Sequence, residues 1–198
     1  PMLDKNKSNS HTWRSYAWPK FFNSESIKTI NELIETEHVG LEDKDLGAQY
    51  DGKVIKNISS VKYIPYGKIK HLISDFIDEA YQVANWDFGY TTFPPCDNLY
   101  LNFNTYEADS KDEYPWHIDE STQATNDMKL TLLINLSTEP FTGGKFQIFP
   151  TGGEYDIPIL SEPGSAFMFK SHILHRVKPV TSGTRKTLIM FIYGPRFS

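Results

Sequence analysis

Two histidines and one aspartate form the residue pattern with the clearest chemical meaning in this chain. His117 and Asp119 are separated by one residue. Residues two apart on a β-strand point to the same face, so this pair would set an imidazole nitrogen beside a carboxylate. His175 follows 56 residues after Asp119. Two imidazoles and one carboxylate leave part of a metal's coordination sphere open, which suits Fe(II) and the binding of dioxygen. The three residues are therefore candidate metal ligands and candidate catalytic residues.

Each of these assignments has a simpler alternative. A His-x-Asp pair also arises by chance in a chain with six histidines, and on a surface loop it would be only a histidine beside an acid. An isolated histidine such as His175 is more often a core or edge residue than a ligand. His172 competes with it, because it lies three residues earlier. We favour His175 because it opens an apolar β segment, whereas His172 lies in the Lys-Ser-His approach to that segment.

Arg185 adds a cation at a spacing that strengthens the metal-site interpretation. It lies ten residues after His175, beyond a Thr181-Ser182-Gly183 turn. A hairpin at this turn would place Arg185 on the strand next to His175. A keto acid would chelate two open positions of the metal, and the planar, permanently charged guanidinium is a natural partner for its far carboxylate. Arg185 is therefore a candidate cofactor-binding residue, with a solvated charge at a strand end as the alternative.

The segments that carry these residues are short, β-rich and separated by turn residues. Eight strands are predicted: Leu99–Tyr106, Trp116–Asp119, Leu130–Leu136, Lys145–Phe149, Tyr155–Ile159, Ala166–Phe169, His175–Val180 and Arg185–Tyr193. Gly-Gly, Pro-Gly and Ser-Gly pairs punctuate them. Eight short strands at regular spacing are typical of a sandwich or barrel, jelly rolls included. The sequence therefore predicts a mainly β fold.

The chain before these strands shows helical patterns. Apolar residues at helical spacing predict one helix over about residues 25–38, with Asn23 or Ser24 as its N-cap. A second helix is predicted over about 68–84, with an apolar stripe on one side. The polar stretch 40–57 between them has no helical period and is predicted to be a mobile loop. The two helices could pack on one outer face of the sheet.

The organisation that follows is one domain with a short tail. A length of 198 residues fits a single domain with a real core. Residues 1–12 are polar and predicted to be a disordered tail, and an aromatic-rich entry strand is predicted within 13–22. We expect one domain over 13–198, in which 13–98 support a β core at 99–194 that contains the metal site.

Composition limits the class of protein. The chain is 39% hydrophobic and 14% aromatic, as in folded globular proteins. A net charge of −5 argues against a non-specific nucleic-acid binder, which needs a basic stripe. The single cysteine can form no internal disulfide, and the sequence shows no signal-like segment and no apolar run long enough to span a bilayer. We expect a cytoplasmic protein without membrane partners.

From Leu99 to Tyr193, the chain resembles the Fe(II)/2-oxoglutarate-dependent dioxygenases, and within them the prolyl 4-hydroxylase-like branch. The resemblance covers about half of the chain and lies in five stretches: Tyr106…Tyr114-Pro-Trp-His-Ile-Asp119, Leu130-Thr-Leu-Leu-Ile-Asn-Leu136, Gly143-Gly-Lys-Phe-Gln-Ile-Phe149, Pro163-Gly-Ser-Ala-Phe-Met-Phe169 and His175-Arg-Val-Lys-Pro-Val-Thr-Ser-Gly-Thr-Arg185. This ordered set is specific for the superfamily and less specific for a substrate.

The resemblance implies a double-stranded β-helix, or jelly roll, with the N-terminal helices packed on the larger sheet. It also implies Fe(II) held by the two histidines and the aspartate, 2-oxoglutarate bound by Arg185, dioxygen as oxidant and ascorbate as a supporting reductant. Tyr106 matches a tyrosine that hydrogen-bonds 2-oxoglutarate in the prolyl hydroxylases. Asn135 falls where some members have a second contact to the distal carboxylate of 2-oxoglutarate.

The implied activity is hydroxylation of a C–H bond, first of all in a prolyl or other residue of a peptide or protein, with release of succinate and CO2. A free amino acid or small metabolite is the alternative substrate. A non-catalytic jelly-roll binding module is the non-enzyme alternative, and a nucleic-acid substrate would need a basic face that the sequence does not show. Tyr63, which could belong to a lid over the substrate, and Trp116 and Arg176 are candidate substrate contacts. Structural packing for the two aromatics and a surface charge for Arg176 are the simpler assignments.

Overall fold

The computed structural model describes residues 15–39, 49–50, 53–54, 60–121 and 125–196. The tail predicted at 1–12 lies outside the described residues, as does most of the loop predicted over 40–57. Within that loop, residues 49–50 and 53–54 pair as two short antiparallel strands.

Most of the described elements are strands. In chain order they are β1 (Ser15–Trp18), α1 (Ser24–Glu37), β2 (Gln49–Tyr50), β3 (Lys53–Val54), β4 (Ser60–Pro65), α2 (Tyr66–Trp86), β5 (Tyr100–Glu107), β6 (Tyr114–His117), β7 (Asn126–Asn135), β8 (Thr142–Gly143), β9 (Phe146–Phe149), β10 (Tyr155–Asp156), a 3-10 helix (Pro158–Ser161), β11 (Ala166–Lys170), β12 (Leu174–Val177), β13 (Val180–Ser182) and β14 (Thr184–Pro195).

Two antiparallel sheets form the β core. The larger has six strands in the order β1-β11-β7-β14-β5-β4, and the smaller has four in the order β10-β9-β12-β6. Buried apolar side chains of both sheets pack against one another: Leu133, Phe167 and Phe169 from the larger, and Phe146, Ile148 and Val177 from the smaller. The chain crosses repeatedly between the two facing sheets, from β5 to β6 to β7 and again from β10 to β11 to β12, so the topology is a jelly roll. The predicted mainly β fold is confirmed.

Both helices cover the outer face of the larger sheet. Asn23 caps α1 by accepting a hydrogen bond from the Ser26 N–H at 2.9 Å. Buried isoleucines at helical spacing, such as Ile30 and Ile34 in α1 and Ile73 in α2, join one core with the outward-facing apolar residues of the sheet. The two predicted helices are confirmed, although α2 begins earlier and ends later than predicted. The two helices therefore support the larger sheet on the face that is opposite the smaller sheet.

Prolines account for the main errors in the predicted strands. Only the first two residues of the strand predicted over 155–159 are extended, because Pro158 has no N–H for a ladder and starts the 3-10 helix. Pro179 lies between β12 and β13 and divides the strand predicted over 175–180. The edge strand β4, which ends at Pro65, is absent from the predicted set; proline is tolerated there because an edge strand has unpaired groups.

Gly164 provides a test of how the helical layer is joined to the sheet. Its φ is +80°, and a Cβ there would lie 1.9 Å from the carbonyl oxygen of Phe22. Gly152 has a similar φ of +75° with open space around it. We expect Gly152→Ala to cost about 1 kcal/mol from backbone strain alone, and Gly164→Ala to cost distinctly more. Urea unfolding of both variants measures the difference, and equal losses would contradict the packing described.

Candidate active site

The structure brings His117, Asp119 and His175 together at one point. His117 is the last residue of β6 and lies directly opposite His175 in the neighbouring strand β12. The Nε2 atom of His117 is 3.6 Å from Oδ1 of Asp119, and the Nε2 atom of His175 is 3.3 Å from Oδ2. All three potential ligand atoms lie within 4.8 Å of one another. His172, the competing histidine, is exposed and lies outside this group.

Backbone carbonyl groups fix the orientation of both imidazole rings. Nδ1 of His117 is 2.8 Å from the carbonyl oxygen of Pro115, and Nδ1 of His175 is 2.8 Å from that of Ile173. A carbonyl oxygen only accepts hydrogen bonds, so each Nδ1 carries the proton and donates it. Each Nε2 is then left with a lone pair directed at the common point, as metal-binding histidines require.

Asp119 is positioned by contacts from two other segments. β6 ends at His117, so the prediction that Asp119 lies on the same strand is wrong; its N–H donates instead to the carbonyl oxygen of Ser171 at 2.9 Å. The Thr131 hydroxyl donates to Oδ2 of Asp119 at 2.7 Å and lies 3.0 Å from the Ser171 hydroxyl. The sequence analysis did not identify Thr131 or Ser171, because their contacts are tertiary.

The electrostatics of the site keep Asp119 ionised. Burial alone would raise the pKa of its carboxyl group, but His175, His117 and the Thr131 hydroxyl outweigh burial and lower that pKa below its ordinary value. Two neutral imidazoles and one carboxylate are the donor set that non-haem Fe(II) sites use. The residues present therefore fit an Fe(II) ion.

Arg185 reaches the same site from the opposite sheet. It lies in β14 and pairs with Tyr106 of β5, so the predicted hairpin that sets Arg185 on the strand beside His175 is wrong. After the turn at Gly183, the chain crosses from the short strand β13 into the larger sheet. A Cβ at Gly144 would lie 3.0 Å from the Cδ atom of Arg185. Glycine at that position thus leaves room for the arginine side chain.

The Arg185 guanidinium is a buried cation that has no acidic partner in the part of the chain that the structure describes. The residue is 2% exposed, and no described residue forms a hydrogen bond with its Nε. The ring centroid of Tyr106 lies 5.3 Å from the guanidinium carbon of Arg185. Among the described residues, no carboxylate forms an ion pair with Arg185. Burial lowers the pKa of Arg185, yet an arginine stays charged in proteins. A buried charge needs a counter-ion, so the site fits an anionic ligand.

Two tyrosines complete the polar part of the site. Burial raises the pKa of Tyr106 to about 12, although Arg185 acts to lower it, so its phenol is a neutral hydrogen-bond donor. The ring of Tyr114 stacks on that of His117, with centroids 3.6 Å apart and planes 24° apart. Burial also raises the pKa of Tyr114. Both phenols therefore stay protonated over the physiological pH range.

A cavity of about 460 Å³, here called the inner cavity, lies between the two sheets. Its polar lining includes the two histidines and Asp119 on one side and Arg185 and Tyr106 on the other. Tyr63, a predicted substrate contact, also lines it from the edge strand β4. A volume of this size is typical of small-ligand sites.

Three predicted contacts do not face the inner cavity. Asn135 donates to the carbonyl oxygen of Leu160 and accepts from the Ser137 N–H, both at 2.9 Å, and its amide therefore holds a loop rather than a ligand. Trp116 and Arg176 stack on each other outside the smaller sheet, 4.4 Å from guanidinium carbon to ring centroid. Neither lines the cavity, because residues adjacent to a ligand on a strand point the other way.

The sequence profile of the 2OG-Fe(II) oxygenase superfamily matches residues 101–193. Those residues are thus similar to that superfamily over a little less than half of the chain. A PKHD-type hydroxylase of Shewanella oneidensis is 31% identical over 96 residues, which are 46% of this chain and 41% of that protein. A second PKHD-type hydroxylase, from Cupriavidus pinatubonensis, is 22% identical over 177 residues, which are 88% of this chain and 76% of that protein. The chain thus spans less than half the length of the Shewanella relative it matches.

Solved structures share the fold. A Pseudomonas putida prolyl-4-hydroxylase matches with a TM-score of 0.64 at 15% identity, covering 96% of this chain and 95% of that one. A Trichoplax adhaerens prolyl hydroxylase, solved with a peptide fragment of hypoxia inducible factor, matches with a TM-score of 0.63 at 16% identity, covering 90% and 83%. The predicted resemblance to the fold of the prolyl 4-hydroxylase-like 2OG-Fe(II) oxygenases is confirmed. Within the described residues, neither α1 nor α2 contains the stretch of apolar residues that a membrane-spanning helix requires.

The Thr131 hydroxyl gives a test of the metal centre. Thr131→Val keeps the shape of the side chain but removes the hydrogen bond to Asp119. We expect about 10- to 100-fold weaker Fe(II) binding, the usual effect of losing such a supporting bond. Thr142→Val, which removes a surface hydroxyl pair with Thr181, is the control and should bind normally. Anaerobic calorimetric titration with Fe(II) measures both; unchanged affinity in Thr131→Val would show that Asp119 does not need this support.

Proposed function

We propose that this protein is an Fe(II)- and 2-oxoglutarate-dependent dioxygenase that hydroxylates a C–H bond in a residue of a peptide or protein, with proline as the first candidate. The observation that carries the proposal is the buried charge of Arg185, which has no acidic partner among the described residues and faces the His117, Asp119 and His175 group across one cavity. A metal that keeps open positions and a cation at a distance suit a dicarboxylate that chelates at one end and ion-pairs at the other.

The roles of the metal-binding residues follow from their geometry. His117 and His175 would hold Fe(II) through Nε2, and Asp119 would hold it through its carboxylate. When bound, Fe(II) and 2-oxoglutarate supply dioxygen activation, so that one oxygen atom enters the substrate C–H bond and the other enters succinate as CO2 leaves. The ring hydrogen bonds to the backbone keep both imidazoles in the tautomer that can bind metal throughout.

The opposite wall of the inner cavity would bind and shield the co-substrate. The Arg185 guanidinium would pair with the distal carboxylate of 2-oxoglutarate, and the Tyr106 O–H would donate a second hydrogen bond to the ligand. The apolar side chains of Leu133, Phe146 and Ile189 line the same cavity. They exclude water from the space around the bound ligand, and a water-poor site strengthens the ion pair to Arg185.

The substrate assignment rests on similarity. Curated relatives are named PKHD-type hydroxylases, and one structure of the same fold contains a peptide fragment. A free amino acid or small metabolite is the competing substrate class. A non-catalytic jelly roll is the competing class of protein. It gives no reason for a buried arginine that lacks an acidic partner among the described residues and lies opposite three ligand atoms.

Succinate release tests the proposal. Wild-type protein with Fe(II), ascorbate, 2-oxoglutarate and dioxygen should release succinate faster when a proline-containing peptide is added, and mass spectrometry should find the peptide heavier by one oxygen atom. His117→Ala should reduce succinate release to background, because two ligands hold the metal poorly. Turnover with free amino acids but not with peptides would replace the substrate class. No succinate under any condition, from protein that binds Fe(II), would favour the binding module.

A further inference from the structure

A second and larger cavity, of about 800 Å³, opens beside the inner cavity and is here called the outer groove. Its walls include Val39, Tyr81, Phe93, Pro94, Tyr100 and Tyr193. Tyr63, Asn102 and Phe191 line both cavities. The outer groove therefore adjoins the inner cavity along these three residues.

The outer groove is aromatic and uncharged. Among the described residues, no Lys, Arg, Asp or Glu side chain lines it. Burial raises the pKa of Tyr81 and of Tyr193, so these phenols stay neutral at physiological pH. Three amide side chains, Asn98, Asn102 and Asn126, also line the groove. Aromatic faces bind apolar groups, and amides both donate and accept hydrogen bonds, as a peptide backbone requires.

Hydrogen bonds fix the outer wall in place. The Phe93 N–H donates to the carbonyl oxygen of Tyr193 at 2.8 Å, which ties the wall to β14. The Gly67 N–H donates to the carbonyl oxygen of Asp97 at 2.9 Å, which ties its other end to α2. Phe93 is nevertheless 45% exposed and Tyr100 is 52% exposed. Large aromatic side chains held exposed on a fixed wall form a preorganised binding surface, because little ordering is needed when a partner binds.

We propose that the outer groove binds the residues next to the hydroxylated one in an extended peptide, and that it selects apolar or aromatic neighbours over charged ones. This inference rests on the proposed function and specifies its substrate. An apolar neighbour buries surface against Phe93 and Tyr100, whereas a charged neighbour loses hydration and finds no counter-charge among the described lining residues. The side-chain amides of Asn98 and Asn102 form hydrogen bonds with the peptide backbone between the target residue and its neighbour.

Other occupants match the groove less well. A free amino acid would fill only the inner cavity, and the exposed aromatic wall would then have no role in its recognition. A nucleic-acid strand needs cations along its backbone, and the described lining offers none. An extended peptide would use both the aromatic surface and the amides, with its target residue in the adjoining inner cavity beside Tyr63 and Asn102.

Binding of matched peptides to the 2-oxoglutarate-loaded protein tests the inference without relying on turnover. The probes are fluorescein-labelled, proline-centred peptides. They are identical except at one of the two residues that flank the proline, and that residue is leucine, phenylalanine, glutamate or lysine. Fluorescence polarisation should show leucine or phenylalanine on one side binding about tenfold more tightly than glutamate or lysine there. Equal binding of all probes would overturn the inference.

Variants locate the effect. Phe93→Ala and Tyr100→Ala should each remove most of the preference for apolar neighbours. Trp86→Ala is the control, because Trp86 is 85% exposed and lines neither cavity. Phe93→Glu should bind the lysine probe more tightly than wild type does, a gain that general destabilisation cannot produce. An unchanged preference in the first two variants, or no gain in Phe93→Glu, would overturn the assignment of the groove.

Failure of the inference is distinguishable from failure of the proposed function. If the protein binds Fe(II) and 2-oxoglutarate and releases succinate slowly without substrate, yet binds none of the probes, the oxygenase assignment stands and the groove assignment is wrong. If it binds neither Fe(II) nor 2-oxoglutarate, the proposed function itself is wrong.

Discussion

The charge on Arg185 is the constraint that the rest of the site depends on. The guanidinium lies inside the jelly roll, where the low dielectric makes an isolated charge costly, and among the described residues no carboxylate compensates it. A protein that only needed a stable core would have an apolar residue at this position, since a buried charge contributes little to folding even when it is paired. The position is explained by an anion that binds there, and the three ligand atoms opposite define where the other end of that anion lies.

The register of the strands determines where the metal-binding residues and Arg185 lie relative to one another. His117 and His175 face each other across neighbouring strands of the smaller sheet, and Arg185 faces Tyr106 across neighbouring strands of the larger one. Because a slip of one residue would turn a side chain to the other face, the packing of each sheet sets the position of these groups. The two helices keep the larger sheet in place from outside, so the site lies between two braced surfaces rather than on a loop.

Local pattern was sufficient for the two helices and for most of the strands, and it singled out the histidines, the aspartate and the arginine that the structure brings to one cavity. The spacing of His117 and Asp119, a later histidine and a later arginine all lie in segments whose β character is visible in the sequence. Alternation on a strand also accounts for the outward direction of Trp116 and Arg176, each adjacent to a histidine that points inward.

What the sequence could not provide are contacts between distant segments. Thr131 meets Asp119 only because β7 and the turn at Ser171 are brought together by the fold. Arg185 lies in the larger sheet because the chain crosses into that sheet after Gly183. No short sequence pattern at this point predicts the crossover. Asn135 was matched by position to a co-substrate contact, but its amide is engaged by the backbone of Leu160 and Ser137.

Anaerobic titration of the Fe(II)-loaded protein with 2-oxoglutarate tests the central claim most directly, because chelation of Fe(II) by a keto acid gives a weak visible charge-transfer band. Arg185→Gln keeps a polar side chain, although a shorter one, and removes the charge. The account predicts that wild type saturates and that Arg185→Gln retains Fe(II) but needs about 10- to 100-fold more 2-oxoglutarate to develop the same band. An Arg185→Gln variant that titrates like wild type would contradict it.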